Sequence, residues 1–174
     1  ILKMMNRKYT FVHYEKLIEN IRKKNIANSH LTISTDVITG FPGETKKDFL
    51  ATAKAMKKIK FDMAYLAAYS PRPQTAAAKM KDDISKQEKE QRKNILNEIL
   101  KKTALENNQK MLGQATEVLV DKITDPTIAF GKTKNFKRVK IISKDKKINK
   151  KMLGNFVPIK ITKANVWNLE GEII

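Results

Sequence analysis

Five short runs of β-forming residues, ATEVLVDKI, TIAFGKT, KRVKIIS, NFVPIKITKA and LEGEII, follow one another in the last third of the chain. Turn formers separate them: Asp125-Pro126, Asn135, Lys144 to Asn149, and Gly154. This succession restricts the fold more than any other feature. Five strands within about sixty residues would leave exposed edges in an open sheet, whereas closing them into a small OB-type barrel removes the edges. The segment before them has a different period. Ser85 and Glu88 are spaced as a capping box, and Ile95, Leu96, Ile99, Leu100 and Leu105 continue a helical stripe toward Met111. One long, charged helix is predicted over about 85–111, ended by Gly113. The expected boundary lies there, with an α/β part at 1–112 and a β-barrel at 113–174.

The first part alternates helix and strand. Tyr9 to Lys24 places Phe11, Tyr14, Leu17, Ile18 and Ile21 at helical spacing, which predicts an amphipathic helix with that stripe inward. Leu31 to Thr39 is a β-branched run broken by Gly40-Phe41-Pro42-Gly43. Thr45 with Asp48 reads as a capping box, and Phe49, Ala53, Met56 and Ile59 form the stripe of a second helix. Met63 to Ala68 is strand-like again and runs into the proline-punctuated YSPRPQTAAAKM. Such an order indicates α/β units on a parallel sheet. A parallel sheet is covered on both faces, so two strands alone would expose a large apolar surface. The expectation is the tail of a larger α/β domain.

Charge points to a partner. The formal net charge is +18 and the pI about 10.0, far more than solubility needs; a polyanionic partner and a lysine-heavy composition both account for it. Between Gly131 and Lys163 twelve Lys or Arg residues face a single acid, Asp145, and Phe130, Phe136 and Phe156 lie on or among them. Cations that hold phosphates beside aromatics that stack on bases suit single-stranded or loop RNA. The plain alternative puts at least two of those phenylalanines in the barrel core and leaves Lys144 to Lys151 as a solvated loop. Absence of cysteine removes disulfides, thiolate metal sites and a cysteine nucleophile from these residues. His13 and His30 lack partnering ligands nearby in sequence and read as surface or helix-face residues. No apolar run approaches the roughly 20 residues of a membrane span, and a soluble cytoplasmic protein is expected.

Ligands of parallel sheets sit at the carboxyl ends of the strands. Gly40 to Thr45 is placed there, with glycines that admit close backbone approach and a helix start that offers free N–H groups. Asp36 and Glu44 add acceptors for ribose hydroxyls or an amino group. A Gly-Pro-Gly turn before a capped helix is also ordinary scaffolding, so these residues alone leave both readings open. Tyr69 to Thr75 falls on the same rim, where two prolines flank Arg72 and present its guanidinium to a carboxylate or phosphate.

Taken in order, LKMMNRKYT, ISTDVITGFPGET, FDMAYLAAYSPRPQTAAAKM, FGKTKNFKRVKI and LGNFVPIKITKANVWNLEGEI closely resemble the C-terminal half of the MiaB-like tRNA methylthiotransferases. These are radical S-adenosylmethionine enzymes with a C-terminal TRAM domain. YSPRPQT is similar to the loop of the tRNA-modifying branch, with Gln74 where that loop has a glycine at a position expected to need positive φ. The resemblance implies a partial radical-enzyme (β/α) barrel, the long linking helix and a five-stranded TRAM barrel. It implies S-adenosylmethionine and two 4Fe-4S clusters as cofactors. Both sets of cluster cysteines lie upstream of these residues, so no catalytic or metal-binding residue is expected here and the chain alone is expected to be inactive. Ser34, Asp36, Gly40, Glu44 and Arg7 look like S-adenosylmethionine-pocket residues. Arg72, Lys132, Lys134, Lys137 and Arg138 look like contacts to the substrate, a tRNA anticodon stem-loop that receives a 2-methylthio group on isopentenyladenosine. A monomer is expected. A stand-alone TRAM-type RNA-binding protein with a vestigial α/β segment remains the other reading.

Overall fold

The computed structural model describes residues 1–24, 31–145 and 148–174; His30, Lys146 and Lys147 lie outside the described residues. The chain forms two compact units, Ile1–Leu100 and Lys101–Ile174.

The first unit is built on strands β1 (Ser34–Thr39) and β2 (Met63–Ala68), parallel and in register from Ser34 opposite Met63 to Thr39 opposite Ala68. Helix α1 (Phe11–Lys24) precedes them and α2 (Lys46–Ile59) connects them. The start of α2 is as the spacing predicts. Thr45 accepts from the Asp48 amide and Asp48 accepts from the Thr45 amide, a reciprocal box; the Thr45 hydroxyl, donating to the same carboxylate at 2.6 Å, and then the Thr45 amide hold the Asp48 carboxyl below its usual range. At the other end Lys60 adopts φ 55° and the Arg22 guanidinium donates to the carbonyl of Ile59.

Ile18, Phe49, Ala53, Met56, Ile59, Phe61, Ala64, Leu96 and Leu100 form the core of this unit. The α2 stripe is buried as expected. The α1 stripe is narrower than its spacing suggests, for Ile18 is buried while Phe11 and Leu17 are exposed. The opposite face of the sheet is open among the described residues. Ser34, Asp36 and Ile38 of β1 and Met63, Tyr65 and Ala67 of β2 are all exposed there, Tyr65 at 66%.

Helix α3 (Lys86–Gln109) spans the division between the units. Ser85 accepts from the Glu88 amide, but the Glu88 carboxylate turns to Arg92, so only one half of the expected box forms. Ile95 is exposed, against expectation. The buried stripe runs instead through Lys89, Arg92, Leu96, Leu100, Thr103, Ala104 and Asn108. The helix also stops sooner than Met111, giving way to tight turns at Met111 and Leu112 before Gly113 takes φ +77°.

Beyond Gly113 the five expected strands are present: β3 (Ala115–Asp125), β4 (Ile128–Thr133), β5 (Arg138–Ile142), β6 (Phe156–Ala164) and β7 (Leu169–Ile173). They close in the order β3-β4-β5-β7-β6, with β5 and β7 parallel and every other pair antiparallel. Closure removes the edges that five strands this short could not protect. Val118, Val120, Ala129, Val139, Ile141, Val157, Ile159, Ile161 and Leu169 fill the interior, joined by Met111 and Ile148. None of the three phenylalanines belongs to it. Ala129 and Gly131 point inward on β4, so alternation turns Phe130 outward, and Phe136 and Phe156 are exposed.

Candidate functional site: a strand-end rim and a basic barrel face

Thr39 ends β1 and its carbonyl accepts from the Tyr69 amide at 2.8 Å, which brings the two strand-end loops together. Gly40 follows at φ +69°. A Cβ there would lie 2.2 Å from Lys89 Cγ, so the position admits only glycine without rearrangement. Glu44 is buried. Its Oε2 accepts from the Gly40 amide and lies 3.0 Å from Arg92 Nη1, and Arg92 Nη1 also donates to the Glu44 carbonyl at 2.9 Å. Arg92, itself buried, pairs with Glu88 and lies over the Phe49 ring at 5.5 Å.

A second buried cation supports the other loop. Lys89 Nζ contacts both oxygens of Asp82, at 2.6 and 2.5 Å, and lies 5.1 Å from the centre of the Tyr69 ring. Tyr69 meets Phe41 edge-on at 5.2 Å and donates its hydroxyl to the Ala77 carbonyl at 2.9 Å. Asp83 accepts from the Gly43 amide at 3.0 Å, and that bond holds its carboxyl below the ordinary aspartate range. Lys89 and Arg92 thus lock the rim from beneath, one under each loop. Neither was visible as a site residue in the sequence, because each reads there as one more charge on a solvated helix.

The expected pocket residues fall into separate places. Gly40 and Glu44 lie buried in the rim turn, where Glu44 is engaged by the protein itself. Asp36 stands on the open sheet face. Ser34 shares that face but opens β1, roughly 16 Å along the strand from Thr39. Arg7 is exposed and donates to the Tyr9 hydroxyl at 2.9 Å; the N-terminal turn reaches the rim through Met4, close to Gly43. Arg72 is exposed with no ion pair among the described residues. Its loop keeps the left-handed bend, for Gln74 takes φ 67° without being glycine. Among the described residues no three His, Cys, Asp or Glu side chains are grouped to hold a metal, and no helix is long and apolar enough to cross a membrane.

On the barrel, register lines up Arg138 of β5, Lys132 of β4, Leu119 of β3 and Phe156 of β6 in one row across the outer surface. All four are exposed. Lys132 has no ion pair among the described residues, Arg138 pairs with Asp121 at 2.5 Å, and Lys134 pairs with Glu117 while lying over the Phe156 ring at 5.7 Å. Lys137 donates to Asn108 Oδ1 at 2.7 Å. The four expected cations therefore cluster along one hairpin and its neighbours, with aromatic surface between them. His13 is exposed near the start of α1 and belongs to neither site.

Residues 109–174 match the TRAM domain family. Over its whole length the chain is 40% identical to the tRNA-2-methylthio-N(6)-dimethylallyladenosine synthase of Buchnera aphidicola subsp. Schizaphis graminum, of which it spans 38%. It is likewise 40% identical to the synthases of the same name from Bacillus anthracis and Bacillus cytotoxicus, spanning 33% of each. The chain thus spans roughly a third of the length of the curated relatives it matches. The chain therefore carries a TRAM domain and, along its whole length, is similar to the C-terminal part of the MiaB tRNA methylthiotransferases.

Proposed function

We propose that the chain works as the C-terminal portion of a cytoplasmic, monomeric tRNA methylthiotransferase. In this reading it supplies one wall of the radical S-adenosylmethionine barrel and the domain that grips the anticodon stem-loop. The observation that carries the proposal is the open face of the β1–β2 sheet, where Ser34, Asp36, Met63 and Tyr65 stand exposed on strands that end in a locked rim. Parallel strands are ordinarily covered on both faces. A stand-alone RNA-binding protein would have no use for an open face or for two buried cations holding its strand ends in place. A partial barrel does, because that face lines its interior and the strand ends carry its ligand site.

The residues fit S-adenosylmethionine and do not fit an iron-sulfur cluster. Asp36 offers a carboxylate on the open face, and the Gly40 turn, pinned by Glu44, brings backbone close to a ligand at the rim. The chain has no cysteine to ligate iron, so in this reading it contributes no cluster ligand. When bound, S-adenosylmethionine supplies radical C–H activation and the methyl group. The work of this chain is to bind and orient. Asp36 and Arg7 meet the polar parts of the cofactor, Gly40 and Glu44 shape the turn beneath it, and Arg72 faces substrate. Lys132, Lys134, Lys137 and Arg138 hold the phosphates of the stem-loop.

Binding of an anticodon stem-loop by the chain is expected to weaken steeply with salt. Changing Lys132, Lys134 and Lys137 together to glutamine should lower the affinity and flatten the log–log salt slope by roughly 2–3. Fluorescence anisotropy on labelled RNA measures both. Unaltered binding in the triple variant would remove the barrel from the interface.

A further inference from the structure

We propose that Phe136 and Trp167 make one end of the barrel a stacking platform for unpaired RNA bases. The proposal rests on the RNA-binding role just given and names how that role is carried out.

Phe136 is the most exposed large apolar side chain described, at 81%, and it sits at φ 62°. Bulky side chains avoid the left-handed region, and such strain persists where the surroundings impose it. Here they do. The Thr133 amide donates to the Lys137 carbonyl at 3.0 Å, the Phe136 amide to the Thr133 carbonyl at 2.9 Å, and the Lys137 amide to Thr133 Oγ1 at 3.1 Å. Thr133 is buried, so the bend that lifts the ring is anchored in the barrel wall. No other ring or cation contacts Phe136 among the described residues. The fold thus holds a strained aromatic ring about four-fifths exposed to water.

Trp167 is 47% exposed on the turn between β6 and β7, which the Asn165 amide closes onto the Asn168 carbonyl at 2.9 Å. One buried side chain ties this turn to the first. Asn108 Nδ2 donates to the carbonyls of Asn165 and Val166 at 2.8 and 3.1 Å, while its Oδ1 accepts from Lys137 Nζ at 2.7 Å. Both rings therefore belong to the same end of the barrel, which also carries Lys132, Lys134 and Arg138. Bare aromatic faces among cations match a ligand that offers flat π surfaces and phosphates together. Unpaired nucleotides have both; a duplex keeps its base faces stacked.

The test uses the chain with two RNAs of matching charge, a stem-loop with an unpaired loop and a blunt duplex. Trp167 is the only tryptophan and reports directly. The stem-loop should quench its fluorescence and the duplex should not. By anisotropy on labelled RNA, Phe136→Ala and Trp167→Ala should each weaken stem-loop binding about tenfold, leave duplex binding within about twofold, and leave the salt slope alone. Phe136→Tyr should retain affinity. Phe136→Gly should bind as weakly as Phe136→Ala while melting at a higher temperature, since glycine relieves the left-handed bend. Stem-loop affinity unchanged in both alanine variants, alongside loss in the triple lysine variant, would overturn the stacking proposal and keep the RNA-binding role. Failure of the chain to bind either RNA would overturn both and leave the platform to a protein partner.

Discussion

Replacing Arg92 with alanine is expected to destabilise the first unit by about 3–5 kcal/mol, because it strands a buried carboxylate. Glu44 and Arg92 are both nearly inaccessible, and their 3.0 Å contact is accompanied by a bond from Arg92 to the Glu44 carbonyl. Removing the guanidinium leaves Glu44 with the Gly40 amide alone and takes the cover from the Phe49 ring. Removing both charges should cost less. Arg92→Met combined with Glu44→Gln keeps the volume without an uncompensated charge, so its loss should fall well below that of Arg92→Ala. Urea unfolding separates the units, since Trp167 reports only on the barrel while circular dichroism reports on both. The dichroism transition should move to lower urea in Arg92→Ala and the Trp167 transition should stay. A shift under about 1 kcal/mol would mean that the pair is no more than a surface contact.

Gly40→Ala should cost about 2–5 kcal/mol, combining a left-handed backbone with forced overpacking. The obstruction is the near end of Lys89, whose Cγ, Cδ and Cβ lie 2.2, 3.0 and 3.2 Å from the added methyl. That side chain cannot swing aside cheaply, because Asp82 holds its ammonium and the Tyr69 ring lies against it. The strain should therefore pass to the second loop, appearing as faster amide exchange at Tyr69 and Thr75. Gly113 provides the comparison. It has φ +77° with nothing within 4 Å of an added Cβ, so Gly113→Ala should carry only the conformational part, about 1–2 kcal/mol. Equal losses at the two glycines would show that Lys89 does not confine the rim.

The barrel was legible in the sequence because its signals are local. Alternation within each run and turn formers between them determine five strands, and shortness demands closure. The α2 cap was legible for the same reason, since Thr45 and Asp48 recognise each other across three residues. Helix α3 misleads where hydrophobicity and burial part company. Its buried stripe begins with Lys89 and Arg92, whereas apolar spacing points to Ile95, which faces water. The partners that make those charges bury lie far off in sequence; Glu44 is 48 residues from Arg92. Asn108 was hidden likewise, because its three bonds reach residues 29 to 58 positions away. The barrel phenylalanines were half-legible. The small inward residues Ala129 and Gly131 dictate that Phe130 faces out, but only the closed register shows that the wall needs no aromatic there.

Nucleoside analysis of tRNA tests the central proposal most directly. Digests of total tRNA from cells with this gene disrupted should lose 2-methylthio-N6-dimethylallyladenosine and accumulate the same nucleoside without the methylthio group. Restoring the intact gene should reverse both changes by mass spectrometry, whereas a copy carrying Gly40→Ala should restore little. An unchanged level of the methylthiolated nucleoside after disruption would contradict the proposed function.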